Sequence, residues 1–163
     1  MGIPVVSIVG QHSNSGKTTL LVKLLTEAKR RGWRIAAVKH DVHGFEMDKP
    51  GKDTWRFAQA GADVVVISSQ EKMAMIEKVE EERTLEEVIA RIPQVDLIFT
   101  EGYKHGKQPR IEVFRSAVHK ELLSKPEQLI AIASDVSIDV GVPCFDLDDA
   151  VGICDFLAEK YSL

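Results

Sequence analysis

Cysteine is nearly absent from this sequence: only Cys144 and Cys154 occur. With no second pair, a zinc knuckle is excluded, and both are expected to be small buried hydrophobes. Basic charge is also short. Lys and Arg number 21 against 25 Asp and Glu, for a net charge of -4, and no basic run dominates any stretch. That excludes the usual footprint of a nucleic-acid binder and argues against adsorption to anionic membranes, while leaving room for a local cationic pocket. No apolar run approaches the ~20 residues that span a bilayer. The start, Met1-Gly2-Ile3-Pro4-Val5-Val6, lacks a basic segment followed by an apolar one, so it does not read as a signal peptide. Val6 stands where a myristoylation signal needs Ser or Thr. The expectation is a cytoplasmic protein with no membrane and no nucleic-acid partner.

Internal repeats, low-complexity tracts and Gly-, Ser- or Pro-rich linkers are missing too, so residues 1–163 are expected to form one domain. What is present is an alternation of apolar runs and amphipathic stretches. Residues 4–9, 34–39, 63–68, 95–100, 111–114 and 129–133 read as strands, with 63–68 expected to be buried and 72–79 a possible edge strand. Leu20, Leu21, Leu24, Leu25 and Ala28 recur at helical spacing over 17–31, and Gly32 ends that helix. Residues 53–61, a segment opened by the capping box Thr84-Leu85-Glu86-Glu87, and 148–161 read as further helices. The long polar stretch 40–52 reads as a functional loop. Strands alternating with helices predict an α/β fold: a mostly parallel sheet with helices on both faces. The loops after residues 9, 39, 100 and 133 then converge on one edge, where ligands bind in such sheets.

The first strand runs into Gly10-Gln11-His12-Ser13-Asn14-Ser15-Gly16-Lys17-Thr18-Thr19 and then a helix. This is the layout of a P-loop, and it predicts a P-loop NTPase fold. Gly16 lets the backbone approach an anion, and the N–H groups of residues 14–18, aided by the helix dipole, cradle a β-phosphate. Lys17 would bridge the β- and γ-phosphates, and Thr18 would offer its hydroxyl to Mg²⁺. One departure stands out: Gln11 occupies the first Gly position of the usual pattern, and Gly10 lies one residue early. The carboxylate that such chemistry needs is supplied by Glu101, at the end of the apolar run Val95-Asp96-Leu97-Ile98-Phe99-Thr100. Gly102 beside it allows close approach to a γ-phosphate. Asp96, at the opposite end of that strand, is a poorer candidate.

These residues, with Lys39-His40, Asp48-Lys49-Pro50-Gly51-Lys52-Asp53-Thr54, Ala60-Gly61-Ala62, Glu101-Gly102-Tyr103-Lys104-His105 and Ala133-Ser134-Asp135, resemble the MobB family over nearly the whole chain. The family is one of P-loop GTP-binding proteins of molybdenum cofactor biosynthesis. The resemblance implies a homodimer that binds GTP with Mg²⁺, hydrolyses it slowly, and acts as an adaptor. Its partner would be the guanylyltransferase that joins GMP to molybdopterin, giving molybdopterin-guanine dinucleotide. The nucleotide would meet Ser13, Asn14, Ser15, Gly16, Lys17, Thr18, Thr19, Gly102, Ser134 and Asp135. The run Asp41-Val42-His43-Gly44 departs from members that carry more His and Asp there, which weakens a His-cluster role.

The remaining polar groups have more than one reading. Lys39, His40 and His43 suit contact with GTP phosphate or an anionic pterin, a metal, or plain solvent. Asp53 reads first as a helix cap and second as a group ordering Mg²⁺ or the attacking water. Lys104 suits an anion or solvent equally. Asp135 alone would read as a turn residue; with the resemblance, it becomes the acceptor for guanine N1–H and N2–H₂, since an Asn-Lys-x-Asp motif is missing. Phe45, Trp33, Trp55 and Phe57 read as packing residues, and Asp146, Asp148 and Asp149 as capping the last helix. Two other functions stay in view. A small-molecule kinase needs lid arginines, and the later loops hold only Arg110 and Arg115. A GTPase metallochaperone needs a Cys/His site that Cys144 and Cys154 do not supply.

Overall fold

The computed structural model describes residues 2–103 and 106–163. In chain order the elements are β1 (Val5–Val9), α1 (Lys17–Arg30), β2 (Ile35–Lys39), α2 (Asp53–Gln59), β3 (Val64–Ser68), β4 (Met73–Glu77), α3 (Leu85–Ile89), β5 (Leu97–Glu101), β6 (Arg110–Phe114), β7 (Leu129–Ser134), β8 (Cys144–Asp146) and α4 (Ala150–Tyr161). They fall into two compact units, Met1–Asp41 with Ile92–Leu163 and Val42–Arg91, a finer division than the single domain read from the sequence.

The first unit is a six-stranded sheet in the order β2-β5-β1-β6-β7-β8, with every pairing parallel. Alternation along the strands sends Val6 and Ile8 of β1, Leu97 and Phe99 of β5, and Ile111 and Val113 of β6 into one core cluster. The apolar stripe of α1 (Leu20, Leu21, Leu24, Ala28) and that of α4 (Ile153, Cys154, Leu157) join the same cluster. Each such side chain, fully buried, contributes about 1.5–3 kcal/mol. A second cluster gathers Phe114, Leu129 and Ile132 with Leu122, Ile138, Val140 and Val142 from irregular segments. Glu112, 1% exposed, anchors that irregular chain: its carboxylate accepts from the N–H groups of Leu123 (2.6 Å) and Ser124 (2.8 Å). A buried carboxylate is tolerable because each oxygen is paired. Between β1 and β5, the buried hydroxyls of Ser7 and Thr100 pair at 2.7 Å.

Parallel pairing brings the carboxyl ends of β1, β2, β5, β6 and β7 to one edge, as the strand reading anticipated. Strand β8 was not anticipated; at three residues it is too short to show a period. It exposes Cys144, against expectation, whereas Cys154 is buried as expected and burial pushes its thiol up to about 11. Residues 111–114, read as a strand from the sequence, lie in β6 between β1 and β7 and so present no free edge.

The second unit holds α2, the antiparallel hairpin β3–β4 (Val64↔Glu77, Val66↔Met75, Ser68↔Met73) and α3. Thr84 and Glu87 form the expected capping box, with the Thr84 hydroxyl accepting from the Glu87 N–H at 3.2 Å. The expectation of a buried strand at 63–68 is corrected here. Only Val65 of β3 is buried, because the strand has a single neighbour and not a sheet on both sides. Phe45 and Phe57, expected to pack, are exposed. No helix among the described residues is long and apolar enough to cross a membrane.

Candidate functional site

The loop from Gly10 to Gly16 joins β1 to α1 at the carboxyl edge. Gly16 sits at the N-cap of α1 with φ +94°, a left-handed conformation that side chains resist, which is why glycine is required there. A Cβ on Gly10 would stand 2.5 Å from Ser15 Oγ, so the displaced glycine still serves the loop by admitting that side chain. Ser15 is buried, and its hydroxyl donates to the His12 carbonyl at 2.8 Å. Lys17 is 7% exposed and folds back over the loop, with Nζ donating to the His12 carbonyl (2.5 Å) and to Ser15 Oγ (3.1 Å). Ser13, Asn14, Thr18 and Thr19 are exposed. The first turn of α1 thus combines orphan N–H groups, a buried ammonium and the positive end of the helix dipole, the ingredients of an anion seat.

Glu101, at the end of β5, comes to this loop because β5 and β1 are neighbours. The Thr18 hydroxyl donates to its carboxylate, 2.9 Å from each oxygen. A hydroxyl and a carboxylate side by side beneath a phosphate loop are hard oxygen donors of the kind Mg²⁺ prefers, so these two residues fit that ion. Gly102 has φ +96°, and a Cβ there would meet His40 Cβ at 3.1 Å. The His40 N–H donates to the Glu101 carbonyl at 2.9 Å, and its ring lies 4.7 Å from that of Tyr103. Lys39 and His40 therefore end β2 beside the Glu101 turn, as the sequence implied.

Ser134 ends β7 and Asp135 follows it, and both line an open pocket of about 240 Å³ with Val136, Ser137, Cys144, Phe145 and Asp146. Asp135 accepts from the Ser116 N–H (2.8 Å) and the Ser116 hydroxyl (3.1 Å). The Ser116 N–H foremost, with lesser help from its hydroxyl and the Arg115 charge, holds the Asp135 carboxyl below its ordinary value.

Other expectations land elsewhere. Asp53 and His43 belong to the second unit. Asp53 is the first helical residue of α2, behind Lys52 at the N-cap, and makes no capping bond; its charge favours the helix dipole instead. Lys104 lies outside the described residues. Among the described residues no group of three or more His, Cys, Asp or Glu is arranged to hold a metal. Asp149 caps α4 through the Gly152 N–H at 2.8 Å, as expected.

The sequence reading weighed Arg115 only as a kinase lid arginine and did not connect the turn after β6 with the phosphate loop. Arg115 places its guanidinium against Gly16, where a Cβ would meet Nε and Nη2 at 3.2 Å. His119 is 5% exposed, its ring stacks on His12 at 5.5 Å, and its Nδ1 accepts from the Arg115 N–H at 2.8 Å. The available signal was position: Arg115 follows an apolar strand directly, the criterion that had singled out Glu101.

A phosphate loop between the first strand and helix, with an acid at the end of the adjacent parallel strand, defines a P-loop NTPase fold. Residues 5–135 match the family described as molybdopterin guanine dinucleotide synthesis protein B, MobB, and the chain belongs to that family. It is 39% identical over 153 residues to the molybdopterin-guanine dinucleotide biosynthesis adapter protein of Escherichia coli, covering 90% of this chain and 87% of that one. The adapter protein of the same description from Haemophilus influenzae is 32% identical over 157 residues, covering 95% and 88%. Among solved structures, a molybdopterin-guanine biosynthesis protein B superposes with a TM-score of 0.73 at 30% identity, over 96% of this chain and 99% of that one. Bacillus subtilis MobB gives 0.73 at 25% identity, over 96% and 98%.

Proposed function

We propose that this protein is a cytoplasmic, homodimeric adapter in the assembly of molybdopterin-guanine dinucleotide, binding GTP with Mg²⁺ and hydrolysing it slowly. It would act with the guanylyltransferase that joins GMP to molybdopterin. The family and its adapter relatives support the pathway. The observation that carries the nucleotide reading is the Thr18 hydroxyl against the Glu101 carboxylate, directly below the turn that holds Lys17. In this reading Thr18 and Glu101 would hold Mg²⁺, which would supply charge neutralisation. Lys17 leaves the His12 carbonyl to bridge the β- and γ-phosphates. Gly102 lets the terminal phosphate approach, and Lys39, His40 and Lys104 supply further contacts to phosphate or pterin. Asp135 and Ser134 meet the guanine edge in the pocket beside β8. Hydrolysis breaks the bond between the γ-phosphorus and the bridging oxygen as water attacks. Slow turnover suits a regulatory nucleotide.

Calorimetric titration with GTP and ATP, with and without Mg²⁺, tests this. Lys17→Ala is expected to weaken GTP binding roughly 100-fold, about 2.7 kcal/mol. Glu101→Gln should remove the Mg²⁺ dependence, and Asp135→Asn the preference for GTP over ATP. Tight ATP binding without guanine preference would sink the Asp135 assignment and favour a kinase.

A further inference from the structure

We infer that Arg115 is a phosphate-contacting residue of the nucleotide site, a second cation facing Lys17 across the N-terminus of α1. This rests on the nucleotide reading above and adds a residue which that reading does not use.

Three observations carry it. The first is proximity. The guanidinium lies against Gly16, the residue whose missing side chain opens the anion seat; Nε and Nη2 would both stand 3.2 Å from a Cβ at that position. A planar fork of N–H donors there is matched in shape to phosphate oxygens, and it keeps its charge at every relevant pH. The guanidinium forms no ion pair with a carboxylate among the described residues, and its charge reaches Asp135 and Asp148 only from a distance.

The second is that the backbone of Arg115 is fixed. Its N–H donates to His119 Nδ1 at 2.8 Å, and its carbonyl accepts from the N–H groups of Val118 (3.0 Å) and His119 (2.9 Å). The His119 ring lies in turn against His12 of the phosphate loop, nearly parallel at 10°. A long side chain on such an anchored base loses less freedom when it engages an anion.

The third is placement between the two ends of the ligand. The next residue, Ser116, clamps Asp135 through two hydrogen bonds. One turn, Arg115–His119, thus touches the phosphate loop on one side and the proposed base acceptor on the other. Strand order makes this possible, since β6 lies between β1, which leads into the phosphate loop, and β7, which leads to Asp135.

The test is calorimetric titration of the intact wild-type protein, Arg115→Gln and Arg115→Lys with GTP, GDP and GMP in Mg²⁺. Arg115 is exposed, so neither variant removes a core side chain. Arg115→Gln is expected to weaken GTP and GDP about tenfold or more while changing GMP by less than about twofold, and Arg115→Lys to recover part of the loss. GTP binding by Arg115→Gln equal to wild type overturns the inference and leaves the nucleotide reading intact. An equal loss for all three nucleotides also overturns it, because that pattern belongs to a disturbed base clamp through Ser116 and Asp135. Wild-type protein that binds none of the three overturns the nucleotide reading, and this inference with it.

Discussion

Strands β1 and β3 are built from the same five residues, three Val, one Ile and one Ser, as Val-Val-Ser-Ile-Val and Val-Val-Val-Ile-Ser. Their fates are opposite. In β1 all but the first residue are buried; in β3 only Val65 is. The difference lies in the neighbours. Strand β1 has parallel partners on both sides and α1 across one face, whereas β3 pairs with β4 alone. Composition therefore sets the preference for extended backbone, while depth of burial is set by how many layers the topology stacks around the strand. The function follows the same divide. The buried strand runs into the loop proposed to hold phosphate, and the exposed one offers an apolar surface.

The sharpest way to break this comparison is to cut the same residue from both strands. Ile8 and Ile67 hold the fourth position of each, at 0% and 57% exposure. Ile8→Ala leaves a cavity in the first unit and is expected to cost about 2–5 kcal/mol. Ile67→Ala should cost about 0.5 kcal/mol or less, as exposed substitutions do. Denaturant unfolding of both variants reads the difference. A cost for Ile67→Ala approaching that of Ile8→Ala would mean that the hairpin is covered in solution.

How much of this was legible in the sequence follows the same line. The placement of the loop at 10–16, Glu101 and the Ser134-Asp135 turn at the carboxyl edge was readable because each follows a run apolar enough to be a buried strand. Gly16 and Lys17 stand out through their setting between a strand and a helix, since Gln11 breaks the usual spacing. The burial of β3 was misread because Val-Val-Val-Ile looks the same whether one strand or two lie beside it. Arg115 was missed because its relevance depends on β6 lying next to β1, a matter of strand order that no local pattern encodes. Asp53 was read one position off, since Asp and Lys at a helix start differ in capping power but the chain geometry makes Lys52 the cap. The Thr84 capping box was read correctly because both of its partners lie within four residues.

A smaller effect sharpens the contrast from the exposed side. On one face of the hairpin Val64 and Val66 of β3 lie beside Met73 and Met75 of β4, all four exposed. If this face is where the proposed homodimer forms, Met75→Lys places an ammonium in an apolar contact. Sedimentation equilibrium should then show dimer association weakened tenfold or more, about 1.4 kcal/mol, with the unfolding of the first unit unchanged. A dimer equally tight in wild type and variant would remove this face from consideration.

The smallest expected effect separates the units by pH. Burial foremost, with the neighbouring His12 next, pushes the His119 imidazole below its ordinary value; Glu112 and Asp135 pull the other way, and Lys17 adds to the lowering. Its Nδ1 accepts from the Arg115 N–H, so the native ring is neutral, and protonation would turn that acceptor into a donor. Above about pH 6.5 the imidazole is neutral in both folded and unfolded chains, and its contribution to stability is fully present. As pH falls through that value, the unfolded chain takes up a proton that the native chain declines, so stability drops until the native pKa is reached. In the second unit the displaced acids Glu77, lowered chiefly by Arg91, and Glu87, lowered chiefly by the Thr84 N–H, lose their contribution in the same direction but at lower pH. Their contributions are complete above the ordinary carboxylate pKa of about 4.3 and fade only below it. Lowering the pH from 7.5 to 5.5 should therefore lower Tm through the first unit, and His119→Gln, which keeps an acceptor for Arg115, should flatten the slope. Equal slopes for wild type and His119→Gln would mean that the ring carries no proton-linked strain, and that Arg115 is held by its turn alone.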